Sequence, residues 1–355
     1  MKRWAQISLL LVTVPAVLAA EERELPKRAE VGERAARAGR AEWEQWRRQI
    51  LSAMEEVMGK FPGPEKRSPL EVKIEEEVDA GDHVRRLVTY QSEPGSRTPA
   101  YLLLPKGAGS AREGSLPAVL CLHPTNLELG HQVVVRLGIT ENRAYGLELV
   151  QRGFVVIAPA YPLMASYQPD LRKLGYASGT MKAIWDNVRA LDVLETLPYV
   201  KRGGYGVIGH SLGGHNGIFT AVWEPRIKVV ITSCGFDSFR DYYAGDERVW
   251  QAGRGWTQER YMPRLAGYAG KLDTIPFDFD ELLGALATRR VFINAPTGDS
   301  NFQARSVDRL VASARPIFEK LGNSGGLEVM HPERGHDFPV AARERSYSVL
   351  DEALR

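Results

Sequence analysis

Several short runs in this chain are apolar at every position, and that pattern restricts the fold more than any other feature of the sequence. Ala118-Val119-Leu120-Cys121-Leu122 ends in His123-Pro124, and Phe154-Val155-Val156-Ile157-Ala158 ends in Pro159. A strand with one wet face alternates polar and apolar residues. A strand with no polar position is covered on both faces, as in parallel sheets flanked by helices. Helical patterns fall between the runs. Ala144, Leu147, Leu149 and Val150 suggest a crossover helix, and Met181, Ile184, Trp185, Val188, Leu191 and Leu194 form a stripe at three- and four-residue steps. The alternation continues with strands at 205–208, 229–232, 291–295 and 327–330, and with helices at 212–222, 307–321 and 340–354. Strand following helix in this way predicts a doubly wound, mostly parallel sheet.

Three strand patterns precede it, at 72–78, 84–90 and 100–104. The first two alternate in part, as outer antiparallel strands would. Further upstream, Trp43, Trp46, Ile50, Met54 and Val57 lie on one helical face, and Gly59, Pro62, Gly63 and Pro64 end that helix. Residues 21–64 therefore form an N-terminal helical segment with a polar lead-in, and 65–355 one large α/β domain. The stretch 236–288, rich in Tyr, Trp and Gly, is the candidate cap insertion over a site.

Residues 1–20 have the pattern of a cleaved signal peptide: Lys2 and Arg3, an apolar run from Ile7 to Leu18, then small residues at Ala19-Ala20. That run is short of the ~20 residues a membrane span needs. The expectation is export to the periplasm or outside, without stable membrane insertion after cleavage. Net charge is +2, from 46 basic and 44 acidic residues, which gives no reason to expect a nucleic-acid partner. The two cysteines, Cys121 and Cys234, fall on inner strands with one other strand between them. That puts their backbones about 9–10 Å apart, beyond the about 5.5 Å of a disulfide, so both are expected as buried free thiols.

Gly209-His210-Ser211-Leu212-Gly213 fits Gly-x-Ser-x-Gly, with a buried strand leading in and a helix leading out. A nucleophilic serine on so sharp a turn takes strained dihedrals, and Gly209 and Gly213 remove bulk where the chain crowds. Serine needs a base at neutral pH. Of seven histidines, His336 lies past the last strand, at the carboxyl edge of the sheet that also carries Ser211. His331 is closer to that strand and reads as structural. His210 and His215 flank the serine but are expected to point elsewhere, and His123 is expected to shape an oxyanion loop. Asp299, after the penultimate strand, is the expected acid, with Asp237 after the preceding strand as its rival. The order Ser211, Asp299, His336 suits this fold. Backbone amides of Leu212 and Thr125 are the expected oxyanion donors, Pro124 having no amide hydrogen. No metal-ligand spacing such as His-Glu-x-x-His occurs, so neither metal nor cofactor is expected.

His123-Pro124-Thr125-Asn126, the stretch from Leu174 through Trp185-Asp186-Asn187, Gly209 to Asn216, and Gly335-His336-Asp337-Phe338-Pro339 resemble the dienelactone hydrolase-like and acetyl-xylan-esterase-like members of the α/β-hydrolase superfamily. The resemblance spans roughly 43–354. It implies an ester hydrolase with a Ser211–Asp299–His336 triad acting on a small-molecule or carbohydrate-linked ester. Dienelactone hydrolases proper use a cysteine where this chain has Ser211. Peptide or amide hydrolysis by the same triad, and a secreted binding protein that has lost turnover, are the alternatives.

Overall fold

A computed structural model describes residues 39–138 and 141–355. The expected signal peptide at 1–20 and the lead-in up to residue 38 lie outside the described residues.

Helix α1 (Arg40–Met58) buries Trp43, Trp46, Ile50, Met54, Val57 and Met58, the stripe expected from the sequence and one residue more. Three antiparallel strands follow, β1 (Lys73–Asp79), β2 (His83–Glu93) and β3 (Ser96–Pro105). Strand β4 (Ala118–Leu122), helix α2 (Tyr145–Gln151) and β5 (Val155–Pro159) begin the alternating part. It continues through α3 (Gly179–Glu195), β6 (Tyr205–His210), α4 (Leu212–Trp223) and β7 (Ile227–Ser233). Then come α5 (Phe279–Ala285), β8 (Arg290–Asn294), α6 (Ala304–Lys320), β9 (Leu327–Met330) and α7 (Val340–Leu354).

The nine strands among the described residues form one sheet in the order β1-β2-β3-β5-β4-β6-β7-β8-β9. Strands β1, β2 and β3 pair antiparallel, β3 joins β5 antiparallel, and every pair from β5 to β9 is parallel. This is the doubly wound sheet with an antiparallel leading edge that the sequence predicts.

The two-residue period of a strand explains why β4 and β5 carry no polar residue. Ala118, Leu120, Leu122, Val155 and Ile157 face a core shared with α1, α3, α4, α5 and α6. Val119, Cys121, Val156 and Ala158 face a second core built with α2 and α7. Each run is thus divided between two dry layers. Strand β1 differs from its expected partial alternation. All its residues are exposed except the half-buried Val78, because among the described residues no layer covers this edge.

Under α3, Lys182 is wholly buried and reaches Asp186 Oδ1 at 2.5 Å and Glu93 Oε1 at 3.2 Å. Thr98 and Tyr167 donate to the Asp186 carboxylate, so the charges are paired and hydrogen-bonded as burial requires. This network ties the antiparallel strands to the helix that crosses behind the site. Cys121 and Cys234 are both buried and free. Among the described residues no helix is long and apolar enough to cross a membrane.

Candidate active site

Ser211 follows β6 directly and has φ 54° and ψ −119°, a left-handed backbone that an L-residue rarely adopts. Two close approaches hold it there. A Cβ on Gly209 would lie 2.2 Å from backbone atoms of Gly213, and one on Gly213 would lie 2.0 Å from the Leu122 carbonyl oxygen. Only glycine fits either position. The Ser211 amide donates to the Ser233 carbonyl at 2.8 Å, and Ser211 stands at the N-cap position of α4, where the first amides have no carbonyl partner within the helix.

Asp299 and His336 come from the loops after β8 and β9. His336 Nδ1–H donates to the Asp299 carboxylate, 3.0 Å from Oδ1 and 2.9 Å from Oδ2. The amides of Asn301 and Phe302 donate to Oδ1 at 2.8 and 3.2 Å. Burial acts to raise the Asp299 pKa, but the imidazole and the two amides outweigh it and hold the carboxyl below its usual range. With Nδ1 so engaged, the free ring nitrogen of His336 is Nε2. No hydrogen bond joins Ser211 Oγ to His336 among the described residues. Both side chains line one cavity of about 600 Å³, and such a contact commonly tightens only when substrate binds.

The rival acid sits elsewhere. Asp237 is buried, accepts the Gln303 amide at 3.0 Å through Oδ2, and leaves Oδ1 without a partner. Burial first, and Asp241, Asp278 and Asp299 nearby, push its pKa up to about 8. It makes no bond to His336. Cys234 Sγ, Asp299 and His336 present donor atoms within 4.8 Å of one another. Asp299 and His336 are spent on each other, and Cys234 donates to the Asp337 carbonyl at 3.2 Å, so these groups satisfy one another.

Thr125 and Leu212 both line the cavity. Leu212 is the first residue of α4, so its amide has no carbonyl within the helix to bond. The Thr125 hydroxyl shares a 2.9 Å hydrogen bond with the Tyr261 hydroxyl. His123 underpins this loop: its Nδ1–H donates to the Pro124 carbonyl at 2.8 Å, and its Nε2 accepts the Tyr161 amide at 3.0 Å. His331 is bonded to the Ala295 carbonyl and to Asp308, away from the cavity.

Two histidines depart from expectation. His210 and His215 were expected to point away, yet both line the cavity. His215 lies one helical turn after Ser211 and so shares its face of α4. Its Nδ1–H donates to the Gly235 carbonyl at 3.0 Å, and its buried Nε2 has no partner. The His210 ring packs 4.9 Å from that of His336 and 6.4 Å from Phe338. Burial, with Arg143 and His336 nearby, pushes its pKa well down, so this neighbour of His336 is neutral. Sequence reasoning missed Arg143, which donates to the His336 carbonyl at 3.2 Å and pairs with Asp337 at 2.9 Å. It lies in a stretch with no periodic pattern, and nothing in the sequence marks it.

The 236–288 stretch is a chain of one-turn helices ending in α5. Its cavity-facing residues are Tyr242, Tyr243, Val249, Gly255, Trp256, Gln258 and Tyr261. Helix α5 packs instead on α1 and α6, and Phe236 stacks on Phe279 with centroids 4.7 Å apart. Within the stretch, the residues lining the cavity fall between Tyr242 and Tyr261.

Two family models match the chain. One described as an abhydrolase family covers 27–180, and one described as glucuronyl esterase of fungi covers 171–322. Thr125 falls in the first and Ser211 and Asp299 in the second. An uncharacterized protein of Pseudomonas aeruginosa is 29% identical over 181 residues, which is 50% of this chain but only 41% of that relative. A Bacillus subtilis protein named as a hydrolase, YtaP, is 21% identical over 84% of this chain and 96% of its own length. Among solved structures, a glucuronoyl esterase from Solibacter usitatus superposes with a TM-score of 0.71 at 18% identity, covering 90% of this chain and 95% of that one. An acetyl xylan esterase from Paenibacillus sp. R4 superposes with a TM-score of 0.55 at 17% identity, covering 91% and 99%.

Proposed function

We propose that this chain, an α/β-hydrolase by fold, is a serine hydrolase that cleaves a carboxylic ester carried by a carbohydrate. The observation that carries the reading is the His336–Asp299 pair opening onto the cavity that also holds the strained Ser211. In this reading Ser211 Oγ attacks the ester carbonyl while His336 Nε2 takes its proton. Asp299 keeps the proton of Nδ1 in place and stabilises the imidazolium that forms. The tetrahedral oxyanion is held by the amides of Leu212 and Thr125, at the positive end of α4. Collapse returns the proton from His336 to the departing alkoxide and leaves an acyl-serine. Water, deprotonated by the same imidazole, then releases the acid.

The cavity favours an uncharged, hydroxylated substrate. Its polar lining includes Asn126, His215, Gln258 and Asn301, with Trp256 and Tyr243 as aromatic faces, while the Thr125 and Tyr261 hydroxyls bond each other. Its one guanidinium, Arg143, is spent on Asp337. Neutral donors and acceptors beside aromatic rings suit a sugar, in keeping with the names of the structural relatives. The signal-peptide pattern of residues 1–20 supports a site of action outside the cytoplasm.

The test is labelling with a fluorophosphonate, comparing the native chain with Ser211→Ala, alongside a panel of acetylated sugars, methyl uronates and aminoacyl anilides. Labelling that depends on Ser211, with ester turnover, is the expected result. Equal labelling of both proteins rejects the nucleophile. Turnover of anilides alone makes the chain an amidase, and no reaction at all makes it a binding protein.

A further inference from the structure

The geometry points to Tyr261, in the covering segment, as a positioning residue for the oxyanion amide of Thr125. This rests on the reading of Thr125 as an oxyanion donor. Thr125 is exposed, and its one polar side-chain contact among the described residues is the 2.9 Å bond to the Tyr261 hydroxyl, 136 residues away. The loop before it ends at Pro124, which donates no backbone bond. The loop after it is held by Asn126, whose amide finds only the Met164 sulfur at 3.4 Å. The peptide carrying the Thr125 amide is tied on its carbonyl side by His123, 2.8 Å from the Pro124 oxygen, and Tyr261 supplies the tie on the Thr125 side.

Tyr261, in contrast, is fixed. Its own amide donates to the Gln258 carbonyl at 2.8 Å, and its carbonyl accepts the Thr180 amide at the start of α3 at 3.3 Å. The Glu259 carbonyl accepts the Gly179 amide at 2.9 Å, so this stretch of chain takes up the orphan amides of that helix end. Tyr161 closes a circuit. Its hydroxyl donates to the Arg260 carbonyl at 2.7 Å, and its amide donates to His123 Nε2 at 3.0 Å, at the base of the same oxyanion loop. The loop is thereby held at both ends by the covering segment, once through His123 and once through Thr125. An oxyanion donor acts only if it is aimed before charge develops, and a shift of about 1 Å costs heavily in rate.

Removing the Tyr261 hydroxyl should therefore slow the chemistry and leave binding alone. For Tyr261→Phe and for Thr125→Val, kcat should fall about tenfold, less than the loss of a whole oxyanion donor, with KM within about twofold. Fluorophosphonate labelling, which places an oxygen in the same hole, should slow by a similar factor. Thr125→Ser keeps the hydroxyl and should retain native kcat. The double variant should be no slower than either single one, because both break one bond. Thr125 is exposed, so the Thr125 pair remains readable if Tyr261→Phe melts early. An unchanged kcat in Thr125→Val, a change confined to KM, or multiplicative losses in the double variant would overturn the inference. Those results leave Ser211-dependent labelling intact, whereas failure of the esterase reading abolishes it in the native chain.

Discussion

Asp299 and Asp237 are two carboxylates from neighbouring strand ends with opposite environments. Asp299 receives an imidazole N–H and two amides; Asp237 receives one amide and holds a bare oxygen in a dry site. Asp299→Asn should lower kcat on the order of 10³–10⁴-fold by allowing the wrong tautomer of His336. Asp237→Asn should leave kcat within a few fold, as the rate of ester release at neutral pH will show. The second variant has a stability signature. Because the folded-state pKa of Asp237 is raised from 3.8 to about 8, the folded protein keeps a proton that the unfolded chain has lost. Stability therefore falls as pH rises between those values and levels off above them. The melting-temperature gap favouring Asp237→Asn should widen across that window, and a gap that narrows would reject the assignment. Ser211 is also a cost to the fold. At φ 54° a glycine is unstrained, so Ser211→Gly should raise stability by about 1 kcal/mol, or about 1–2 °C in melting temperature, while abolishing labelling.

At the scale of elements, the turn between β6 and α4 depends on two contacts too close for a side chain. Gly213→Ala pushes a methyl into the Leu122 carbonyl of β4, and no flexible group can yield there. It should cost at least about 3 kcal/mol and, in thermal melts, behave far worse than an alanine at the exposed Gly325. The strand-to-helix spacing that sets this turn is legible in sequence because it is local: a dry run, glycine, serine, glycine, then an apolar helix. The same holds for α1 and α3, whose stripes bury as written. The covering segment was not legible. Its one-turn helices have no period, and its order comes from aromatic packing such as Phe239 against Trp256, centroids 5.6 Å apart, and from backbone bonds to α3. His215 could have been found by counting one turn from Ser211. Arg143 and the Tyr261–Thr125 bond join residues 194 and 136 positions apart, and no local signal reports such a pair.

For the molecule as a whole, acid is the exposed weakness. Burial holds His123 neutral down to about 4 and His131 and His215 down to about 3. Below about 6.5, the ordinary histidine value, the unfolded chain takes up protons that the folded one refuses, so stability drops as pH falls through this range. His131 is the least supported of the three. Among the described residues neither of its buried ring nitrogens has a partner, and its ring lies 4.9 Å from Tyr101 in the core shared with α2. His131→Phe should raise the melting temperature at every pH, and the gain should grow as pH falls below 6.5. A gain that shrinks in acid would show that His131 is charged in the folded protein.

Among the described residues, the sheet of nine strands has two open rims at which another polypeptide could add itself by backbone pairing. One rim is β9, only four residues long. The other is β1, where Lys73, Glu75, Glu76, Glu77 and Asp79 are all exposed and the register slips between Ile74 and Glu76. An incoming strand there would meet four acidic side chains, Glu75, Glu76, Glu77 and Asp79, on a kinked template. Such an edge would disfavour strand addition to an otherwise strongly apolar sheet, most of all in crowded surroundings where neighbouring copies collide before each has finished folding.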